Sequence, residues 1–206
     1  MTGKSITYYF SLMSPWAYLG HDHFVDLAKR HGLTINFAPV FLGEVFAATG
    51  GLPLAQRPQS RQNYRILELQ RWREKRGLPL NIRPKFWPFD VRLVDQTVIA
   101  IVQAGQDPAA FIGTAFAACW AGNKNLAEPE VLAPLLESVG LPAKLVQQAG
   151  SDVVAAQYAA NSASAIDQGA FGSPAYVWQG EVFWGQDRLD LLEDALKSGR
   201  APYKII

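Results

Sequence analysis

The chain has 206 residues, 49% of them hydrophobic and 18% charged, with a formal net charge of +1. That balance supports a sizeable buried core and excludes a disordered chain, while a charge so close to neutral gives no general attraction to nucleic acid or to a membrane surface. No apolar run approaches the roughly 18 residues needed to cross a bilayer, and MTGKSITYYF lacks an apolar segment followed by a small-residue cleavage site. The expectation is a cytoplasmic protein.

The first run, ITYYFSL, is β-branched and aromatic and predicts a strand. It leads through Ser14-Pro15 into a helical pattern that carries Trp16, Leu19, Phe24, Leu27 and Ala28 and closes with Lys29, Arg30, His31 and Gly32. Proline suits the first helical position, where its missing N–H has no partner to lose, and the serine before it suits the N-cap. Two readings of Ser14 follow. It caps the helix and nothing more, or its hydroxyl also meets an anion drawn by the free N–H groups and the helix dipole. LTINFAPV alternates Leu33, Ile35 and Phe37 as a half-buried strand does. Residues 5–40 thus predict a right-handed βαβ unit with parallel strands.

From Ser60 the pattern turns helical. GEVFAATGGLPLAQRPQ, residues 43–59, ends in a Gly- and Pro-rich loop, and helices are predicted near 60–76, 92–105, 108–121, 128–138, 142–149 and 152–168. The single cysteine, Cys119, excludes an internal disulfide and lies in an apolar run where a buried thiol is expected. His21 and His23 are two apart and point in different directions on a helix, so no metal site is expected. AYVW and EVFW, joined by Gln179-Gly180, predict a hairpin. DRLDLLEDALKSG predicts a last amphipathic helix stopped by Gly199. The expected architecture is α/β. The two ends, 1–42 and 170–206, share one mixed sheet, and 43–169 forms a large inserted helical domain.

SPWAYLG, FLGEVFAATG, ELQRW, FGSPAYVW and FWGQDRLDLLE, in that order and along almost the whole chain, resemble the 2-hydroxychromene-2-carboxylate isomerases. These are relatives of kappa-class glutathione transferases and DsbA-like thiol oxidoreductases. The resemblance implies a thioredoxin-like fold, glutathione as cofactor, a homodimer and a small aromatic anionic substrate. It places Ser14 where the oxidoreductases carry a nucleophilic cysteine and Ala17 in the place of the second, so that disulfide exchange is unavailable. Ser14 then contacts the glutathione sulfur, and both its hydroxyl and the helix end favour thiolate over thiol.

The resemblance further implies a cis peptide at Ser173-Pro174, whose backbone pairs with the cysteinyl unit of glutathione; the other reading is an ordinary proline at a strand start. Trp184, Gln186 and Asp187 complete the glutathione residues, Asp187 reaching the γ-glutamyl ammonium, serving as an N-cap, or both. Substrate contacts are expected at Gly51, Tyr64, Arg71 and Trp87, with core packing as the alternative for Trp87. Relatives commonly carry a lysine near Phe46 and Ala47 and an asparagine at Gly51, and this chain carries neither. Between Arg57 and Arg92 lie ten Lys or Arg residues against three acids, a source of positive charge for an anionic substrate or simply a solvated helix face. A kappa-like transferase that keeps the conjugate, or a non-catalytic binding module, are the competing functions.

Overall fold

A computed structural model describes residues 4–204. Strand β1 (Ser5–Phe10), helix α1 (Pro15–Arg30) and strand β2 (Thr34–Pro39) open the chain. Helices α2 (Leu42–Thr49), α3 (Gln59–Arg76), α4 (Arg92–Gln103), α5 (Ala109–Trp120), α6 (Pro129–Ser138), α7 (Leu145–Gln148) and α8 (Asp152–Asp167) follow. Strands β3 (Ala175–Trp178) and β4 (Glu181–Trp184) and helix α9 (Leu189–Ser198) close the described chain. The sheet order is β2-β1-β3-β4, with β1 parallel to β2 and β3 antiparallel to both its neighbours. This is the mixed α/β sheet expected from the patterning, and its first and last strands in sequence meet at the centre.

The centre of the sheet is buried on both faces because β1 alternates large side chains. Ile6, Tyr8 and Phe10 face the larger core, while Tyr9 points the other way with Ala38, Val45, Ala165, Ala175 and Val177. On the larger side the rings of Tyr8 and Phe10 stack at 4.4 Å and Tyr8 lies 5.3 Å from Tyr176. Phe24 of α1, Phe116 and Trp120 of α5, and Leu189 and Leu192 of α9 continue the same cluster into the helical block. One core therefore joins the sheet to helices from α1 to α9. The hairpin turns at Gln179 and Gly180, both at positive φ (53° and 83°), the backbone that a two-residue loop needs to match the twist of its strands.

Helix ends follow the predicted punctuation, with α3 and α9 stopping at left-handed Gly77 and Gly199. Two elements differ from the expectations. Helix α2 lies in a stretch for which no helix was named, because its N-cap, Phe41, supplies no side-chain hydrogen bond and leaves no polar start signal. Helix α7 spans Leu145–Gln148 rather than 142–149, since Pro142 and Ala143 begin as single turns.

Gly20, inside α1, is set by packing. A Cβ there would lie 2.6 Å from Gln186 Cβ and 3.1 Å from the Tyr176 hydroxyl, so α1 and the turn before α9 touch through backbone. Gly20→Ala gains helix propensity of up to about 1 kcal/mol but overfills this contact, a change that typically costs about 1–3 kcal/mol. The expected net result is a lower denaturant midpoint with an unchanged slope in urea unfolding.

Candidate active site

The turn from β1 into α1 has no neighbouring strand, so its buried backbone groups need partners from elsewhere. They all find one. The Ser11 N–H donates to Ser173 Oγ (3.1 Å), Leu12 N–H to Asp95 Oδ1 (2.9 Å), Met13 N–H to Ser11 Oγ (3.3 Å) and Ser14 N–H to the Ser11 carbonyl (2.9 Å). The Leu12 carbonyl accepts from Trp120 Nε1 (3.4 Å) and the Met13 carbonyl from Trp87 Nε1 (3.0 Å). Four separate parts of the chain thereby fix one tetrapeptide.

Ser14 is the N-cap of α1, with extended backbone (φ −93°, ψ 116°). Its hydroxyl accepts from the Ala17 N–H (3.2 Å) and donates to the carbonyl of Ser173 (3.0 Å), 159 residues away. The Ser173–Pro174 peptide is cis, and the loop it belongs to faces the start of α1. At that helix end Pro15 has no N–H, and the Trp16 N–H has no partner among the described residues. A hydroxyl, an unpaired N–H and the helix dipole thus converge at one point, a donor set suited to a thiolate. Ala17 offers no second thiol, and burial pushes the Cys119 thiol up to about 12, which keeps it protonated and inert.

The remaining expected residues lie around this point to different degrees. Trp184 covers the loop from outside: a Cβ on Gly172 would lie 2.4 Å from its Nε1, so only glycine admits the indole. Gln186 is buried, and its side-chain oxygen accepts from Arg76 Nε (3.1 Å) and Nη2 (2.9 Å). It abuts Gly20, one turn and a half along α1 from Ser14, about 9 Å at 1.5 Å per residue. Asp187 is partly exposed and pairs with Arg188 at 3.0 Å. Trp87 borders Ser14 through its bond to Met13 and packs against Trp120 at 5.9 Å. It is tied to the turn that carries Ser14 and packed against the core.

Gly51 lies under the ring of Phe46, where a Cβ would come within 2.5 Å of Phe46 Cδ1. A ring placed this way at 46 leaves no room for a side chain at 51 unless the ring shifts. Tyr64 is 59% exposed, and Arg71 is exposed, paired with Glu68 and 6.0 Å over the Tyr64 ring. The structure does not bring these two to Trp87. The guanidinium over that indole, at 5.3 Å, belongs to Arg65.

Ser11, Tyr158 and Asp95 carry no sequence signal of their role. Asp95, in the first turn of α4, is fully buried and accepts from the Leu12 N–H, from Ser11 Oγ (3.0 Å) and from the Tyr158 hydroxyl (2.7 Å). Burial raises its carboxyl from 3.8 to about 7 against the pull of these three donors. Protonated at Oδ2, the acid donates to one of the two hydroxyls, which then accepts, while the other goes on donating. Because the folded pKa lies above the unfolded one, the contribution of Asp95 to stability is complete below about pH 4 and is lost as pH rises through about 7. Between those limits wild-type stability should fall relative to Asp95→Asn, by at most about 1.4 kcal/mol per pH unit. Urea unfolding of both proteins from pH 4 to 8 measures the difference, and parallel curves would exclude this titration.

Residues 5–197 match the DSBA-like thioredoxin domain family. A 2-hydroxychromene-2-carboxylate isomerase of Sphingobium xenophagum is 31% identical over 94% of this chain and 98% of its own. Glutathione S-transferase kappa 1 of Caenorhabditis elegans is 26% identical over 93% of this chain and 90% of its own. Among solved structures, a 2-hydroxychromene-2-carboxylate isomerase superposes with a TM-score of 0.75 at 26% identity, covering 94% of this chain and 95% of the other. The chain belongs to the 2-hydroxychromene-2-carboxylate isomerase family, a branch of enzymes built on the DSBA-like thioredoxin domain.

Proposed function

We propose that this protein is a glutathione-dependent cis-trans isomerase of an aromatic 2-oxo acid or its cyclic hemiketal, active as a cytoplasmic homodimer in the breakdown of aromatic compounds. The observation that carries the reading is Ser14: a hydroxyl at a helix N-terminus, facing the Ser173 carbonyl, in a fold whose thiol positions are empty of cysteine. The names of the relatives, isomerase and kappa transferase alike, support it.

Bound glutathione supplies a thiolate that adds reversibly to a conjugated system, which lets a former double bond rotate before the thiolate leaves. The protein's part is to hold and to polarise. Ser14 stops donating to Ser173 and donates to the sulfur, a stronger bond because its acceptor is charged. The carbonyl so released accepts from an extended peptide laid along the Ser173–Pro174 backbone. The Trp16 N–H and the α1 dipole add to the stabilisation of the anion. Gln186 and Asp187 hold the γ-glutamyl end, with Trp184 steadying the loop between. A kappa-type transferase would use the same residues, and recovery of free glutathione after turnover, rather than a stable thioether, separates the two.

The Ser14 switch sets a magnitude. A hydrogen bond to a charged group contributes about 1.5–3 kcal/mol, and the neutral bond given up about 0.5–1.5. The difference, about 1–1.5 kcal/mol, corresponds to about one pKa unit. In a thiolate absorbance titration of the glutathione complex, Ser14→Ala should therefore titrate about one unit higher, with turnover reduced and some activation left by the helix end. Thermal melts control for the lost cap, which costs about 0.5–2 kcal/mol. Coincident titration curves from two folded proteins would leave Ser14 as a cap alone.

A further inference from the structure

Arg65 is a half-buried cation of this region that finds neither an acid nor a hydrogen-bond acceptor among the described residues. Acids of the surrounding segments are engaged with other groups: Glu68 with Arg71, Asp90 with Arg92, and Asp95 with Ser11, Leu12 and Tyr158. Its charged neighbour is Arg57, of the same sign, and burial together with that neighbour lowers the Arg65 pKa to about 10. A cation withdrawn from water beside another cation is an unfavourable arrangement until an anion joins it.

The surroundings define the shape of that anion. Trp87 presents its ring to Arg65 at 5.3 Å while its Nε1 is bonded to the carbonyl next to Ser14. Arg57 is held by the Leu52 carbonyl (2.7 Å) and lies 5.9 Å over the ring of Phe46, which itself rests on Gly51. Two flat aromatic faces thus flank two guanidinium groups, and one of the rings, Trp87, is bonded to the turn that carries Ser14. Helix α2 offers no cation of its own at Phe46 or Ala47. A free guanidinium fork matches a carboxylate through two parallel bonds, and the rings match a planar apolar body.

We propose that Arg65, backed by Arg57, is the carboxylate-binding residue of the acceptor subsite. It holds a planar aromatic carboxylate by its acid group, with the ring beside Trp87. The assignment rests on the function proposed above for the nature of the ligand, but it is separately testable.

Calorimetric titration of the full chain with 2-hydroxybenzoate, its uncharged amide 2-hydroxybenzamide, and glutathione isolates the charge. Wild type should bind the carboxylate at least tenfold more tightly than the amide. Arg65→Gln should abolish that preference while changing amide and glutathione affinities less than twofold. Arg65→Lys, which keeps the charge and guards against a folding defect, should retain part of it, and Arg57→Gln should give a smaller loss. An intact preference in Arg65→Gln, or no preference or no binding of the carboxylate in wild type, would overturn the proposal. So would a tenfold loss of glutathione affinity in Arg65→Gln, which would assign the arginine to the tripeptide's own carboxylate. Loss of the preference in Arg65→Gln with no glutathione binding by wild type would uphold the subsite and reject the glutathione reading alone.

Discussion

Burying the turn between β1 and α1 is possible only if every N–H and carbonyl in it is met, and much of the architecture follows from that demand. Asp95 comes from α4, Trp120 from α5, Trp87 from the segment between α3 and α4, and Ser173 from the loop before β3. None of these groups can move far without leaving a buried polar atom unpaired, a loss on the order of 1–3 kcal/mol each. The helical block is therefore a brace for four residues as well as a cover for the sheet. The common core that runs from Ile6 to Leu196 keeps the brace in register.

This bracing explains how a weak donor such as a serine hydroxyl can hold a fixed direction. Ser14 and Ser173 sit on different elements, yet both are tied to Ser11: Ser14 through its own N–H and Ser173 through its hydroxyl. Three serines form a short circuit that closes across the site. The same circuit keeps the carbonyl of Ser173 and the start of α1 at hydrogen-bond distance, which an extended peptide bound between them would need.

Much of the fold was legible because glycine and proline mark the helix ends, and because ITYYF, TINF, AYVW and EVFW have strand chemistry. Helix α2 was not, since it starts without a polar cap and ends in TGG, which reads as loop. Of the site, Ser14 and the Ser173–Pro174 geometry were readable from motifs. Asp95 was not: an acid in LVDQ has the look of an exposed first-turn residue, and its burial is decided by Tyr158 and Ser11, far away in sequence. Tyr64, Glu68 and Arg71 stand at helical spacing on one face of α3, and Arg71 contacts both of the others. Periodicity says which residues share a face and not which face meets the site, so Arg65 went unseen.

The order of the sheet has a consequence for how the protein is made. Strand β1 is an inner strand whose antiparallel neighbour, β3, is translated after the whole helical block. At about 5–20 residues per second, an emerging chain holds β1 with one open edge for roughly 10–30 s. During that time Thr7, Tyr8 and Tyr9 lack the strand that will pair with them. An unpaired edge of this composition invites pairing with another nascent chain. The early helices, and whatever chaperone attends the ribosome, carry the task of shielding it until Ala175–Trp178 arrives.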